Sequence, residues 1–343
     1  MTQQSSNESL PESWRSMIAK YQRSDLGKSI WQMVNSFVPF FLLLAAMYFS
    51  LDYSYWLTLA LAIPAAGFQV RTFIIFHDCT HGSFFHSQRA NDIVGIISGL
   101  LTFTPYHEWR HSHNIHHATG SDLDHRGTGD VWMLTVKEYL ALPWYRRLWY
   151  RTYRNPFAML VIGPLAMFIL AHRFPSPESG PRERRSVHAT TAALILIIGG
   201  ISYFIGFGTF VAIMLPTLWL AGMAGLWLFY VQHQFDETYW EHHHEWDFFD
   251  SALKGSSYYK LPKVLQFFSG NIGFHHIHHL SPRIPNYRLP KVQKEVPIFQ
   301  SVKPITLFSS FRFLLLRLWD EEQRKLVGLR ALKQMRRSSS VVQ

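Results

Sequence analysis

Apolar residues along this chain rarely recur at a helical or strand period; they gather into unbroken blocks set between polar, aromatic and basic stretches. Four blocks, Ile30 to Ser50, Tyr55 to Phe76, Ala189 to Gly206 and Phe210 to Val231, have the roughly 18 to 22 residues a helix needs to cross the hydrocarbon core of a bilayer. The pattern predicts four transmembrane helices. A fifth block, Pro156 to Leu170, is short, is broken by Gly163 and Pro164, and runs into the basic stretch HRFPSPESGPRERRSVH, so it is expected to be re-entrant or interfacial. Ile93 to Phe103 is weaker still and reads as an interfacial helix.

The links Leu51 to Ser54 and Phe207 to Thr209 carry no lysine or arginine, which places both outside and the basic segments inside. Both termini are then cytosolic. The chain divides into an N-terminal segment 1–29, a membrane domain 30–331 and a basic flexible tail 332–343, with residues 1 to about 25 and the closing SSSVVQ expected to be mobile.

Composition agrees with a membrane protein: 48% of residues are apolar and 16% aromatic, more aromatic than ordinary soluble domains. Lysine and arginine exceed aspartate and glutamate by ten, and the excess gathers at Arg15, Lys20, Arg23 and Lys28, at Arg182, Arg184 and Arg185, and at Lys333, Arg336 and Arg337. Basic segments beside apolar spans are topology signals and contacts to anionic lipid; no nucleic-acid recognition motif accompanies them, so no nucleic-acid partner is expected. The single cysteine, Cys79, excludes an internal disulfide and fits a reduced compartment. The polar opening MTQQSSNESL has no apolar core of a cleaved signal, and the first span is expected to direct insertion.

Histidine changes the picture. FHDCTH places His77 and His81 at i and i+4, about 6 Å apart along one helical face. HSHNIHHATG holds His113, His116 and His117 at i, i+3 and i+4, and GNIGFHHIHHLSPRIP repeats that spacing with His275, His278 and His279. One such pair is ordinary, but three groups at the edges of apolar spans point to a shared metal site. An even number of crossings between the groups is required for them to meet. Eight imidazoles are too many for one zinc ion, whose structural sites take four ligands, and suit two first-row metals; imidazole alone leaves zinc, copper and nickel open beside iron. A metal transporter is disfavoured, because the histidines sit at span ends rather than along a path.

FHDCTHGSFFHS, HNIHHATG, LDHRGTGDVW, WLFYVQHQF, GSSYYKLP and GNIGFHHIHHLSPRIPNYRL together resemble the membrane fatty acid desaturases, and bacterial acyl-lipid desaturases of the delta-5 and delta-12 kind in particular, from about residue 30 to about residue 330. The resemblance implies an all-α integral membrane protein in which four transmembrane helices and interfacial or re-entrant helices carry a cytosolic, histidine-rich diiron cap. It implies two non-haem Fe2+ ions, O2 as co-substrate, and a cis double bond introduced into the acyl chain of a membrane lipid in the bacterial inner membrane. It also implies a ninth ligand, His233 in YVQHQF. A lipid hydroxylase of the same superfamily is the competing outcome.

Metal-bound imidazoles usually donate their other ring hydrogen to a carboxylate or carbonyl. Asp78, Asp122, Asp124, Asp130, Asp236 and Glu237 lie near the boxes and are candidates, as is Asn271, four residues before His275. His86, His107, His111, His172 and His188 read as ordinary polar or interfacial residues. The run EHHHEW, with His242, His243 and His244, reads as a hydrated loop; His276 is expected to face away from the metals, and His125, after Asp124 in a loop, to stand behind the ligands as an outer partner. No flavin, nicotinamide, iron–sulfur or haem motif is present, so the resemblance requires an external electron donor, a ferredoxin, flavodoxin or similar acidic carrier. Aromatic residues such as Trp109, Phe103, Trp219 and Trp227 are candidates to line an acyl tunnel.

Overall fold

The computed structural model describes residues 13–332; residues 1–12 and 333–343, with nearly all of the expected basic tail, lie outside them. The described residues begin with a short helix α1 (Ser13–Ala19), then α2 (Leu26–Ser50) and α3 (Tyr55–Thr80) form an antiparallel pair. Asp25 and Ser54 open α2 and α3 by accepting backbone N–H groups that have no partner inside the first turn, from Lys28 and Trp56. Beyond α3 come α4 (Gln88–Leu101) and α5 (Tyr106–Thr119), then the small helices α6 (Val136–Ala141) and α7 (Trp144–Tyr153). Residues Ala158–Arg173 form one irregular helical run, π-helical at Ala158–Ile162 and Ala166–Leu170 around the short α8 (Gly163–Leu165). Two long helices follow, α9 (Pro181–Ile205) and α10 (Phe207–His233).

The helices α2, α3, α9 and α10 are long and apolar enough to cross a membrane. Their outward faces are greasy: Leu196 is 76% and Phe204 83% exposed, which is sensible only against lipid. The helices begin earlier or end later than the apolar blocks that announced them. Phe207 to Thr209, expected as a loop, already belongs to α10; the turn is made by Gly206 alone, whose φ of 84° a residue with a Cβ would rarely adopt.

The run Ala158–Arg173 meets α7 at a bend of 58°. Its two ends are tied to one end of the bundle. Before it, Arg154 donates to Gln234, the residue after α10, at 2.8 Å. After it, Ser176 and Ser179 donate to Glu108 in the first turn of α5. The segment packs on α10, with Pro164 and Phe168 against Gly222.

Helices α11 (Phe248–Lys254), α12 (Lys263–Phe268), α13 (His275–Leu280), α14 (Leu289–Glu295), α15 (Pro297–Gln300) and α16 (Leu307–Ser310) build a cap on that same end. Arg71 of α3 reaches out of the bundle to donate to the carbonyl of Phe267 and lies over its ring, fastening α12. Residues 14–21 correct the expectation of mobility, whose first part, residues 1–12, lies outside the described residues. Trp14, Ile18 and Tyr21 join a core with Ile277, Leu280, Leu289 and Phe299, and each fully buried side chain such as Ile18 or Ile277 contributes about 1.5–3 kcal/mol. Helix α1 and Tyr21 therefore pack directly behind α13.

The cap is not wholly helical. Strand β1 (Leu134–Thr135) pairs in parallel with β4 (Leu316–Asp320), Leu134 opposite Leu318, and β4 pairs antiparallel with β5 (Lys325–Gly328); β2 (Tyr258–Lys260) pairs in parallel with β3 (Pro304–Thr306). The two parallel pairings join segments far apart in sequence. The fully buried Arg154 binds Trp132 O, Gln234 and Leu316 O, knitting the first sheet to the end of α10.

Candidate metal centre

The three histidine groups meet at the bundle end carrying the cap. His77 lies in the last turn of α3, and His81 caps its C-terminus just after Thr80, where Gly82 takes a positive φ and the chain turns away. The side chains of His113, His116 and His117 leave one face of α5; those of His275, His278 and His279 leave one face of α13; His233 is the final residue of α10. All nine predicted residues come together, in two groups: His77, His81, His113, His117 and His278, and His116, His233, His275 and His279. Within each group the ligand atoms lie within 4.8 Å of one another, and each group could hold a metal ion.

Ring orientation is fixed from behind. Asp130 accepts from Nδ1–H of His116 at 2.6 Å and the Gly255 carbonyl from Nδ1–H of His233 at 3.3 Å. With their hydrogens on Nδ1, both rings present Nε2 lone pairs, and those two nitrogens are 3.1 Å apart. Two lone pairs at that distance repel unless a cation lies between them. The same crowding runs through His77, His113, His117 and His278, whose successive Nε2 atoms are 3.0, 3.1 and 3.0 Å apart, and between His233 and His275 at 2.9 Å. Nε2 of His81 and of His279 is buried with no hydrogen-bond partner. The donor set thus fits two cations of a kind that binds neutral nitrogen.

Electrostatics agree. Burial, reinforced by neighbouring imidazoles, holds His81, His113, His117, His275, His278 and His279 well below the ordinary imidazole pKa, so they stay neutral. Neutral imidazole is the metal-binding form.

Local sequence explains the placement. Asp78 accepts both the backbone N–H and the side-chain amide of Asn286, tying the segment after the third box to the first, while its other oxygen lies 3.4 Å from His77 Nδ1. In RGTGD, Gly129 has a φ of 73° and a Cβ there would meet His116 Cβ at 3.0 Å, so this turn brings Asp130 close only because residue 129 lacks a side chain.

A family model described as fatty acid desaturase matches residues 54–300. The chain belongs to the fatty acid desaturase family. It is 46% identical over 316 residues to a protein named fatty acid desaturase from Bacillus subtilis, covering 92% of this chain and 90% of that one. A Synechocystis protein named sn-1 oleoyl-lipid 12-desaturase is 29% identical over 234 residues, 63% of this chain and 62% of its own. Another from Synechocystis, named sn-1 acyl-lipid omega-3 desaturase (ferredoxin), is 29% identical over 257 residues, 68% and 64%.

In this desaturase-family chain several acids expected behind the ligands have other work. Asp124 pairs with exposed His242 and accepts the His243 N–H; Asp236 pairs with Arg312 at the surface; Glu237 pairs with Lys303. Asn271 lies in a turn before α13, not in it, with a φ of 62°, and binds Gln266 and the Asn286 carbonyl. A helical extension of α13 placed it wrongly on the His275 face. His276 turns away, as expected, to Gln293. His111 and His172 line a cavity of about 460 Å³ with Glu108, Trp109 and Glu178. Two features escaped sequence reasoning. The carbonyl behind His233 carries no side-chain signal, and His125, expected behind the ligands, and His243, read as part of a hydrated loop, instead converge on Asp122.

Proposed function

We propose that this chain is an oxygen-dependent acyl-lipid desaturase that holds two non-haem iron ions, one in each imidazole group, and places a cis double bond in the acyl chain of a membrane lipid. The observation that carries the reading is the convergence of neutral imidazole lone pairs on two points at the end of apolar, membrane-length helices. Bound iron supplies the reduction of dioxygen and the removal of hydrogen from two adjacent methylenes, which no side-chain acid or base can attack.

The remaining work belongs to the protein. Asp130 and the Gly255 carbonyl keep His116 and His233 with Nε2 free for the metal. Trp109 stacks on His113 with centroids 4.1 Å apart and meets Phe73 and Phe76 edge-on at 5.4 and 5.1 Å; Phe73 in turn meets Phe168. This aromatic wall excludes water from the spans' side of the centre and gives methylenes an apolar surface to lie on. Methylenes are chemically alike, so only position along such a surface can select one pair. The cavity beside Trp109 gives a lipid's polar end room next to that wall.

Electrons come from a separate carrier. The printed name of one Synechocystis relative includes ferredoxin, and a net charge of +10 favours an acidic partner. The histidine end faces the cytosol of a bacterial inner membrane on this reading, supported by the absence of lysine and arginine from Leu51 to Ser54 and by Arg182, Arg184 and Arg185 at the opposite end of the spans. Expression in a host with saturated lipids, followed by mass-spectrometric mapping, tests the function: new double bonds at one position are expected. Hydroxylated chains without double bonds would contradict it.

A further inference from the structure

Outside the nine histidines, one more convergence of metal-binding groups among the described residues lies in the cap. The segment after α5 and the segment after α10 run side by side: Leu123 N–H donates to Glu241 O and Glu241 N–H to Ser121 O. This pairing sets Asp122 and His125 of the first segment beside His243 of the second. Asp122 is buried, with one carboxylate oxygen accepting the Asp124 N–H at 2.9 Å. Its other oxygen faces two ring nitrogens at once, Nδ1 of His125 at 2.8 Å and Nδ1 of His243 at 2.7 Å. The two rings are 4.5 Å apart, and their side chains are 52% and 63% exposed.

We infer that Asp122, His125 and His243 form a third metal site, separate from the nine-histidine centre, for a divalent first-row cation such as zinc. One carboxylate and two imidazoles, free of thiolate and open to solvent on one side, make the donor set of a three-ligand site completed by water. The three donor atoms lie within 4.8 Å of one another, as in the two imidazole groups. Metal–ligand bonds of about 2.0–2.1 Å in tetrahedral geometry put donors about 3.3 Å apart, which the exposed rings reach by small rotations. An outer carboxylate supports the arrangement: Asp124 accepts the backbone N–H of His243 at 2.9 Å and pairs with His242, fixing where residue 243 sits. Behind Asp122, Leu123 and Trp240 close the site from the protein side.

The ion would cross-link the loop leaving the α5 histidines to the loop leaving His233. Gly120, between them and the centre, is held by Trp246 Nε1–H and Ser251 Oγ–H on its carbonyl. The clamp therefore stiffens the cap without touching the nine imidazoles.

The test compares the parent with H125Q/H243Q, both full length, untagged and in detergent. Glutamine keeps a hydrogen-bond donor for Asp122 but binds metal poorly. Both proteins are loaded anaerobically with Fe2+, dialysed against micromolar Zn2+, and their metals counted. The parent is expected to hold one ion per chain more than the variant, and zinc is expected to raise the thermal midpoint of the parent alone. Equal metal counts in the two proteins overturn the site, whatever the absolute number; the absolute count of the variant separately reads the nine-histidine centre, so a variant with fewer than two ions counts against that centre and not against the difference between the two proteins.

Discussion

At the scale of single residues, the nine imidazoles differ sharply from the other histidines, and substitution should show it. His278 lies 3.0 Å from His117 through Nε2 and packs on the His77 ring, whereas the His244 side chain is 75% exposed. His278→Ala should reduce double-bond formation below about 1% of parent, more than the about 10- to 100-fold typical of an outer partner, while His244→Ala leaves the product unchanged. Analysis of cellular fatty acids reads both. Asp130→Asn is the intermediate case: it keeps the shape but loses the charge behind His116, and iron affinity should fall about 10- to 100-fold with folding intact. The ligand-type spacing of these residues was legible because i, i+3 and i+4 positions share a helical face, and each box is helical. Asn271 failed that logic because a turn, not a helix, precedes His275.

At the scale of elements, the apolar blocks announced every long helix, since lipid leaves a spanning segment no way to satisfy its backbone except as a helix. Their ends were less legible: α3 runs on to Thr80 and α10 to His233, carrying histidines past the apolar run so that they project into the cap. The strands were not legible at all. β1 has only Leu134 and Thr135, and its partner lies in Leu316–Asp320, so no local pattern encodes the pairing. Helix seating offers a direct test. A Cβ on Gly95 of α4 would come within 2.2 Å of the Tyr106 ring, and Tyr106 is buried at the start of α5 with its hydroxyl donating to Cys79 O. Gly95→Ala should therefore cost about 1–3 kcal/mol, read as a lower thermal midpoint, and should weaken iron retention by shifting the helix that carries His113, His116 and His117.

At the scale of the whole molecule, four membrane-length helices bring boxes from both halves of the chain to one end, and charge should fix which side that is. Cys79 is buried, so engineered cysteines report cleanly. Tyr53, 84% exposed between α2 and α3, should accept a membrane-impermeant maleimide in intact cells as Tyr53→Cys, and Glu245→Cys in the cap only after permeabilisation. Labelling of Glu245→Cys but not Tyr53→Cys in intact cells would reverse the topology. The meeting of Asp122, His125 and His243 shows what a linear reading misses, because those residues become neighbours only once two loops pair. The decisive measurement is the iron content of anaerobically prepared H125Q/H243Q protein, in which the third site is disabled and the nine-histidine centre is intact. Two irons per chain are predicted; one iron, or zinc in their place despite excess iron, would contradict a two-iron centre.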